Sequence, residues 1–402
     1  MSIQAEGWAH AFATRTHNRS AEVTRILAPT PPGVLSLAGG FPNPETFPSA
    51  VVAEIVAGLL RDDPGAVLQY TPCEGIAGFR SYLVDRQERL QGRRPDIDEL
   101  IVTSGGMECM ALLCQSVVDA GDQIAVEAPT YLGALMAFAG FQAELTGIPM
   151  DDDGMRVDVL AERLAAGLRP KFVYVIPDYQ NPTGRTLTLA RREALVDTCR
   201  RHGVLILEDV AYREMAFDGA SLPSIWSLAP DITLQAGTFS KIFAPGVRLG
   251  WAVGPRDVIA QMAAAKQTTD QCSNGFCQRI LETYGRAGEF EAQIPRSRAL
   301  YASHWRALEQ AMARHLPDGC SWSEPAGGFF AWLTLPPQID ADEMRDDAVA
   351  AGVTYVPGHA FYATDTGRNE VRLSFSHLDE GDLDRAVERL AGVIRGRLDA
   401  AG

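Results

Sequence analysis

The run G-T-F-S-K-I-F-A-P-G-V-R (237–248) sets an amine behind two hydroxyls and seven residues ahead of a guanidinium. Of 36 basic residues only three are lysines, Lys171, Lys241 and Lys266. An amine can shed its proton and attack carbon, which a guanidinium cannot, so each lysine is a candidate reagent. Lys241 follows the apolar, small-residue run D-I-T-L-Q-A-G, which has the texture of a buried strand. A snorkelling lysine in a salt bridge is one reading of it. The other makes Thr238, Ser240 and Arg248 an anion site, with the amine desolvated beside it and lowered in pKa.

Other apolar runs end on polar residues in the same way. G-V-L-I-L-E-D-V-A-Y leads to Glu208 and Asp209, with Tyr212 three residues on. A carboxylate at the end of a buried strand needs a partner, either a nearby arginine or a ligand cation. E-L-I-V-T-S-G-G-M-E-C carries Ser104, Gly105 and Gly106 ahead of a helix, a turn that exposes backbone N–H groups to a phosphate or is simply tight. K-F-V-Y-V-I-P-D-Y-Q-N-P-T-G-R places Asn181 before Pro182, an ordinary turn or an amide donor to a ligand oxygen. A nucleophilic amine, a phosphate site and a buried carboxylate together describe one ligand, pyridoxal phosphate. Its aldehyde joins the lysine, its ring nitrogen pairs with the aspartate, and its phosphate takes the hydroxyls and the arginine. The rival phosphate signatures G-x-x-x-x-G-K-[ST] and G-x-G-x-x-G do not occur.

The elements that must position these groups alternate. Short β-branched runs at E-L-I-V-T-S, Q-I-A-V-E-A-P, A-E-L-T-G-I-P, K-F-V-Y-V-I-P and G-V-L-I-L-E-D are separated by helical patterns over 106–120, 131–139, 156–167 and 188–202. Strands follow at D-I-T-L-Q-A-G and R-L-G-W-A-V-G. Apolar runs without polar alternation predict strands buried on both faces, hence a mainly parallel sheet between helices. In such sheets ligands sit at the carboxyl ends of the strands. From about 255 onward amphipathic helices dominate, and G-G-F-F-A-W-L-T-L, G-V-T-Y-V-P-G and N-E-V-R-L-S-F-S with helices at 340–352 and 380–398 read as a smaller α+β domain. In V-R-L-S-F-S, alternation puts Arg372, Ser374 and Ser376 on one face and Val371, Leu373 and Phe375 on the other.

Bulk properties narrow the partners. With 46% hydrophobic and 22% charged residues the 402-residue chain is ordinary globular material, long enough for two domains. A net charge of −15 argues against nucleic acid and against docking on anionic membrane. The longest apolar stretch, L-G-A-L-M-A-F-A-G-F, is too short to span a bilayer, and the first twenty residues lack a secretory pattern. Seven cysteines without a C-x-x-C pair fit thiols in a reducing cytoplasm, with no metal site expected.

The order A-G-G…Q-Y…S-G-G…P-T-Y…N-P-T-G…E-D-x-A-Y…S-K…R-L-S spans nearly the whole chain. It resembles the fold-type I, class I/II pyridoxal-phosphate aminotransferases, and among them the branch of 2-aminoadipate and kynurenine aminotransferases and the related transcription regulators. The resemblance implies an α/β PLP-dependent transferase fold: an N-terminal arm (1–48), a large cofactor-binding domain (49–290) and a small C-terminal domain (291–402). Lys241 would be the lysine that takes the aldehyde and then serves as general base. Asp209 would pair with the ring nitrogen, Asn181 and Tyr212 would hold the ring hydroxyl, and Tyr131 would stack on the ring. The turn Ser104–Gly105–Gly106–Met107 with Thr238, Ser240 and Arg248 would hold the phosphate. Tyr70 would reach the phosphate of a neighbouring subunit, which implies a homodimer. Arg372, helped by Asn181 and the Gly39–Gly40 backbone, would bind the substrate carboxylate.

The seven-residue spacing from Lys241 to Arg248 matches the aminoadipate branch, whereas Val23 stands where that branch has an arginine for a distal carboxylate. The activity implied is transfer of an amino group from an L-amino acid to a 2-oxo acid, 2-oxoglutarate or pyruvate, by a ping-pong mechanism. The alternatives are another reaction on the same cofactor (β-elimination, decarboxylation or oxidation) or an effector-binding domain. With A-G-G beginning at residue 38, little room remains ahead of it for a DNA-binding domain.

Overall fold

The computed structural model describes residues 8–16 and 30–401. Val23 therefore lies outside the described residues. Eight strands form the main sheet: β1 (Leu100–Thr103), β2 (Gln123–Ala128), β3 (Glu144–Asp151), β4 (Gly154–Met155), β5 (Pro170–Val175), β6 (Leu205–Asp209), β7 (Thr233–Thr238) and β8 (Gly250–Val253). Their order across the sheet is β1-β8-β7-β6-β5-β2-β3-β4. β7, β6, β5, β2 and β3 pair in parallel, while β8 runs antiparallel to both β7 and β1. β1 thus points the same way as the parallel set, and only β8 and the short hairpin strand β4 are reversed.

Period-two alternation sends successive residues of each strand to opposite faces. On one face Ile124, Val126, Phe172, Tyr174 and Leu207 pack beneath the helices Gly106–Val117, Leu132–Gly140 and Arg256–Thr269. On the other, Ala125, Val173, Val175 and Ile206 meet Leu160 and Leu164 of Val157–Ala165 and Leu195 and Cys199 of Leu189–His202. Burial on both sides is why the runs carry no polar alternation, as expected for parallel strands.

A second, antiparallel sheet has β9 (Ser321–Trp322), β10 (Phe330–Thr334), β11 (Val356–Pro357) and β12 (Glu370–Ser374) in the order β9-β10-β12-β11. It packs with the helices Glu289–His315 and Glu380–Ala401 in the largest apolar cluster. Leu35–Ser36 adds a short parallel pairing to Val353–Thr354. Past it, residues 37–41 cross between the two sheets: Leu37 O accepts from Ser374 N and Phe41 O from Ser376 Oγ. The helix expected over 340–352 begins only at Arg345. The Asp340 side chain accepts from Asp342 N and Glu343 N, and this turn uses the donors a helix start would leave free.

Candidate active site

Because β1, β2, β5, β6 and β7 share one direction, their carboxyl ends lie along a single edge of the sheet. Ser104 follows β1, Tyr131 follows β2, Asn181 lies in the loop after β5, Asp209 ends β6, and Thr238 ends β7 with Lys241 three residues on. Residues far apart in sequence are brought together by topology alone.

The Lys241 amine has no carboxylate within ion-pair distance among the described residues. Its Nζ donates to the Gly40 carbonyl at 2.8 Å and lies 5.6 Å from the centre of the Phe329 ring and 5.9 Å from that of Tyr212. Part of the residue still faces the cleft, but the amine is enclosed. Burial foremost, then the charge of Arg372, lowers its pKa to about 8.

Asp209 is buried and has only neutral donors: Tyr174 Oη at 2.9 Å and Ala211 N at 3.1 Å. Burial pushes its pKa up, against those hydrogen bonds. Glu208, one residue earlier, points to the opposite face. There it takes Ile225 N, Trp226 N and Gln235 Nε2 between 2.7 and 3.0 Å, a structural assignment. The pleat thus separates two adjacent carboxylates, leaving one of them at the cleft.

Arg372 is the third unpaired charge. One Nη donates to Asn181 Oδ1 at 3.0 Å, the other to the Ala38 carbonyl, and its Nε has no partner. Its guanidinium carbon sits 4.2 Å from the Phe330 ring centre and 4.9 Å from that of Phe361. Desolvation lowers its pKa to about 10. Tyr212 is buried, beside Asn181, and in edge contact with Phe329 and Phe330. Tyr131 caps the helix Leu132–Gly140, within the fields of Asp209, Arg372 and Arg248.

The turn after β1 is open and strained. Gly105 adopts φ 100°, ψ 173° ahead of the helix Gly106–Val117. A Cβ there would lie 3.2 Å from Arg248 Nη2. Arg248 itself is exposed in the left-handed region at φ 52°. Thr238 Oγ1 and Ser240 Oγ lie 3.0 Å apart. Contacts thus link Gly40 and Tyr212 to Lys241, Asn181 to Arg372, Thr238 to Ser240, and Gly105 to Arg248. Tyr70 stands apart with 84% of its surface exposed, and Met107 is 37% exposed.

The sequence patterns of the "Aminotransferase class I and II" family match residues 32–390. The chain belongs to the class I and II aminotransferases. It is 38% identical to aromatic-amino-acid aminotransferase 1 of Thermococcus litoralis over 90% of this chain and 88% of that one. The solved kynurenine aminotransferase of Pyrococcus horikoshii, in complex with PMP, superposes with a TM-score of 0.92 at 35% identity, covering 97% and 98% of the two chains. An α-aminoadipate aminotransferase of Thermus thermophilus, complexed with N-(5'-phosphopyridoxyl)-L-leucine, gives 0.91 at 32% identity over 98% and 100%. The protein is a PLP-dependent amino-acid transaminase of the fold-type I architecture, with a mainly parallel large sheet. No helix among the described residues is long and apolar enough to cross a membrane.

The aminotransferase's cleft fits pyridoxal phosphate on its own chemistry. A desolvated amine without an acid partner suits an aldehyde, and a buried carboxylate with only neutral donors suits a cationic ring nitrogen. An exposed guanidinium beside a side-chain-free turn at a helix start suits a phosphate. Sequence reasoning missed Tyr174, whose hydroxyl orients Asp209, and the two phenylalanines of G-G-F-F, which wall the amine and the guanidinium.

Proposed function

We propose that the transaminase moves the amino group of an L-amino acid to a 2-oxo acid, 2-oxoglutarate or pyruvate, with Lys241, Asp209 and Arg372 as its three working charges. The observation that carries this reading is that all three are enclosed in one cleft and none has an oppositely charged side-chain partner among the described residues. Each is held instead by neutral donors or acceptors, which leave its charge free for a ligand. When bound, the cofactor supplies the carbonyl that joins the amino nitrogen and the ring that accepts electrons from the α-carbon.

Lys241 Nζ takes the α-proton and delivers it, as a general base poised near neutrality by its burial. Asp209 keeps a proton on the ring nitrogen, and Tyr174 holds the carboxylate in position for it. Asn181 and Tyr212 would hold the ring hydroxyl, Tyr131 would stack on the ring, and the Ser104–Met107 turn with Thr238, Ser240 and Arg248 would hold the phosphate. Arg372 takes the α-carboxylate; its Nε is without a partner and one Nη is held only by the Ala38 carbonyl. Gly39 and Gly40 let the crossing segment approach closely; a Cβ at Gly40 would meet Phe330 Cζ at 2.5 Å.

The working form is a homodimer in which Tyr70 reaches the partner's phosphate. Its wide exposure on the single chain supports this. The chain divides into an arm (1–48), a large domain (49–290) and a small domain (291–402), the last division falling in the first turn of the helix Glu289–His315. Seven cysteines without a C-x-x-C pair support the cytoplasm as its compartment.

The test is a screen of amino donors against the purified, cofactor-loaded protein, read by loss of its visible absorbance and its return on adding a 2-oxo acid. A reversible cycle abolished in Lys241→Ala is the expected result. Conversion that 2-oxo acids never reverse would favour elimination or decarboxylation and defeat the transaminase assignment of these residues.

A further inference from the structure

A second lysine is wholly buried, and nothing in the chemistry described so far uses it. Lys266, on the helix Arg256–Thr269, has no exposed surface, and its Nζ lies 2.8 Å from both oxygens of Glu108 and both oxygens of Asp270. Glu108 is the third residue of the helix Gly106–Val117, whose first turn is the proposed phosphate seat. Its Oε2 also accepts the backbone N–H of Ser104. Asp270 Oδ2 accepts from Ser104 Oγ at 3.1 Å, and Ser273 Oγ lies 3.2 Å from the same hydroxyl. The residue that opens the turn is therefore gripped at both its N–H and its O–H by the two carboxylates that Lys266 holds together.

We propose that Glu108, Lys266 and Asp270 are positioning residues for the cofactor phosphate, an inference that rests on the Ser104–Met107 turn being its seat. Two effects follow from the geometry. With the Ser104 N–H occupied by Glu108, the turn's remaining backbone donors are those of Gly105, Gly106 and Met107, and the Gly105 kink is fixed on its N-terminal side by an anchored residue. The second effect is electrostatic. Two carboxylates next to a dianion's seat repel it, and one lysine bonded to both offsets half of their charge. Removing Lys266 alone leaves a half-buried Glu108 and an exposed Asp270 without their shared cation beside the seat. Removing Lys266 together with one carboxylate charge restores the balance, and Gln at 108 keeps an acceptor for Ser104.

The experiment measures binding of pyridoxal phosphate and of phosphate-free pyridoxal to the cofactor-free full chain, with circular dichroism as the folding control. The expected pattern is selective. Lys266→Met weakens pyridoxal phosphate binding by at least about tenfold while pyridoxal binding moves by less than about twofold, and Lys266→Met/Glu108→Gln recovers most of the loss. Should Lys266→Met not fold, Lys266→Gln carries the test with the same signature, because it removes the charge while keeping an amide that can donate to Glu108 and Asp270. A folded variant that binds both ligands like the wild type, or loses both equally, overturns the proposal. A wild type that does not distinguish the two ligands at all defeats the underlying phosphate seat instead.

Discussion

Lys241 shows how a single residue acquires a reagent's properties. The amine loses hydration on entering the cleft and gains only a carbonyl acceptor in return, so its neutral form is favoured down to a pKa of about 8. A depressed pKa means that the protonated, unreactive form takes over only as pH falls below that value. The rate at which cofactor-free protein captures pyridoxal phosphate, followed by visible absorbance, should climb about tenfold per pH unit up to roughly pH 8 and then level off. A rise continuing through pH 10 would mean an ordinary lysine. Arg372 makes the complementary case for geometry over charge. Arg372→Lys keeps the cation but loses the planar fork and its stacking on Phe330. The expected cost is about a hundredfold in kcat/KM for amino donors, with cofactor affinity unchanged. An equal loss of cofactor affinity would contradict a role confined to the substrate carboxylate.

Among the elements, the glycine turn after β1 makes the sharpest claim. At φ 100°, ψ 173° Gly105 occupies a region that side chains avoid, at a cost of about 1–3 kcal/mol for any replacement. Gly105→Ala should lower stability by that amount and, by crowding Arg248, weaken cofactor binding about tenfold. Gly92 is the control: it too has positive φ, 69°, but a Cβ there meets nothing, so Gly92→Ala should destabilise without touching the cofactor. Much of this arrangement was legible beforehand. Buried parallel strands announce themselves as continuous apolar runs, and a polar residue ending such a run has to lie at the ligand edge. What stayed hidden depends on register and packing. Glu208 and Asp209 are indistinguishable in the string E-D until the pleat assigns each a face. Tyr174 reads as a good β-former, and its partner is set by the pairing of Tyr174 with Leu207 between β5 and β6. Lys266 meets a carboxylate 158 positions away, a contact no local pattern encodes.

At the level of the whole molecule, the single chain has an outer face that its own cleft does not explain. Tyr70 is 84% exposed, and Leu68, two residues before it, 69%, apolar surface that suits burial against a second copy. Sedimentation should give twice the 43.5 kDa chain mass, and Tyr70→Phe should weaken cofactor binding without dissociating the pair. A monomer that binds cofactor normally would remove Tyr70 from the site. The scarcity of lysine has a practical consequence at this scale. A protease that cuts only after lysine has three targets, at 171, 241 and 266, and so produces four pieces. Fixing the ligand to the enzyme by borohydride reduction before digestion would block the middle cut, leaving 172–266 as one long fragment heavier by the trapped vitamin. A peptide map of modest resolution then reads out which amine holds the ligand, with no need to mutate anything.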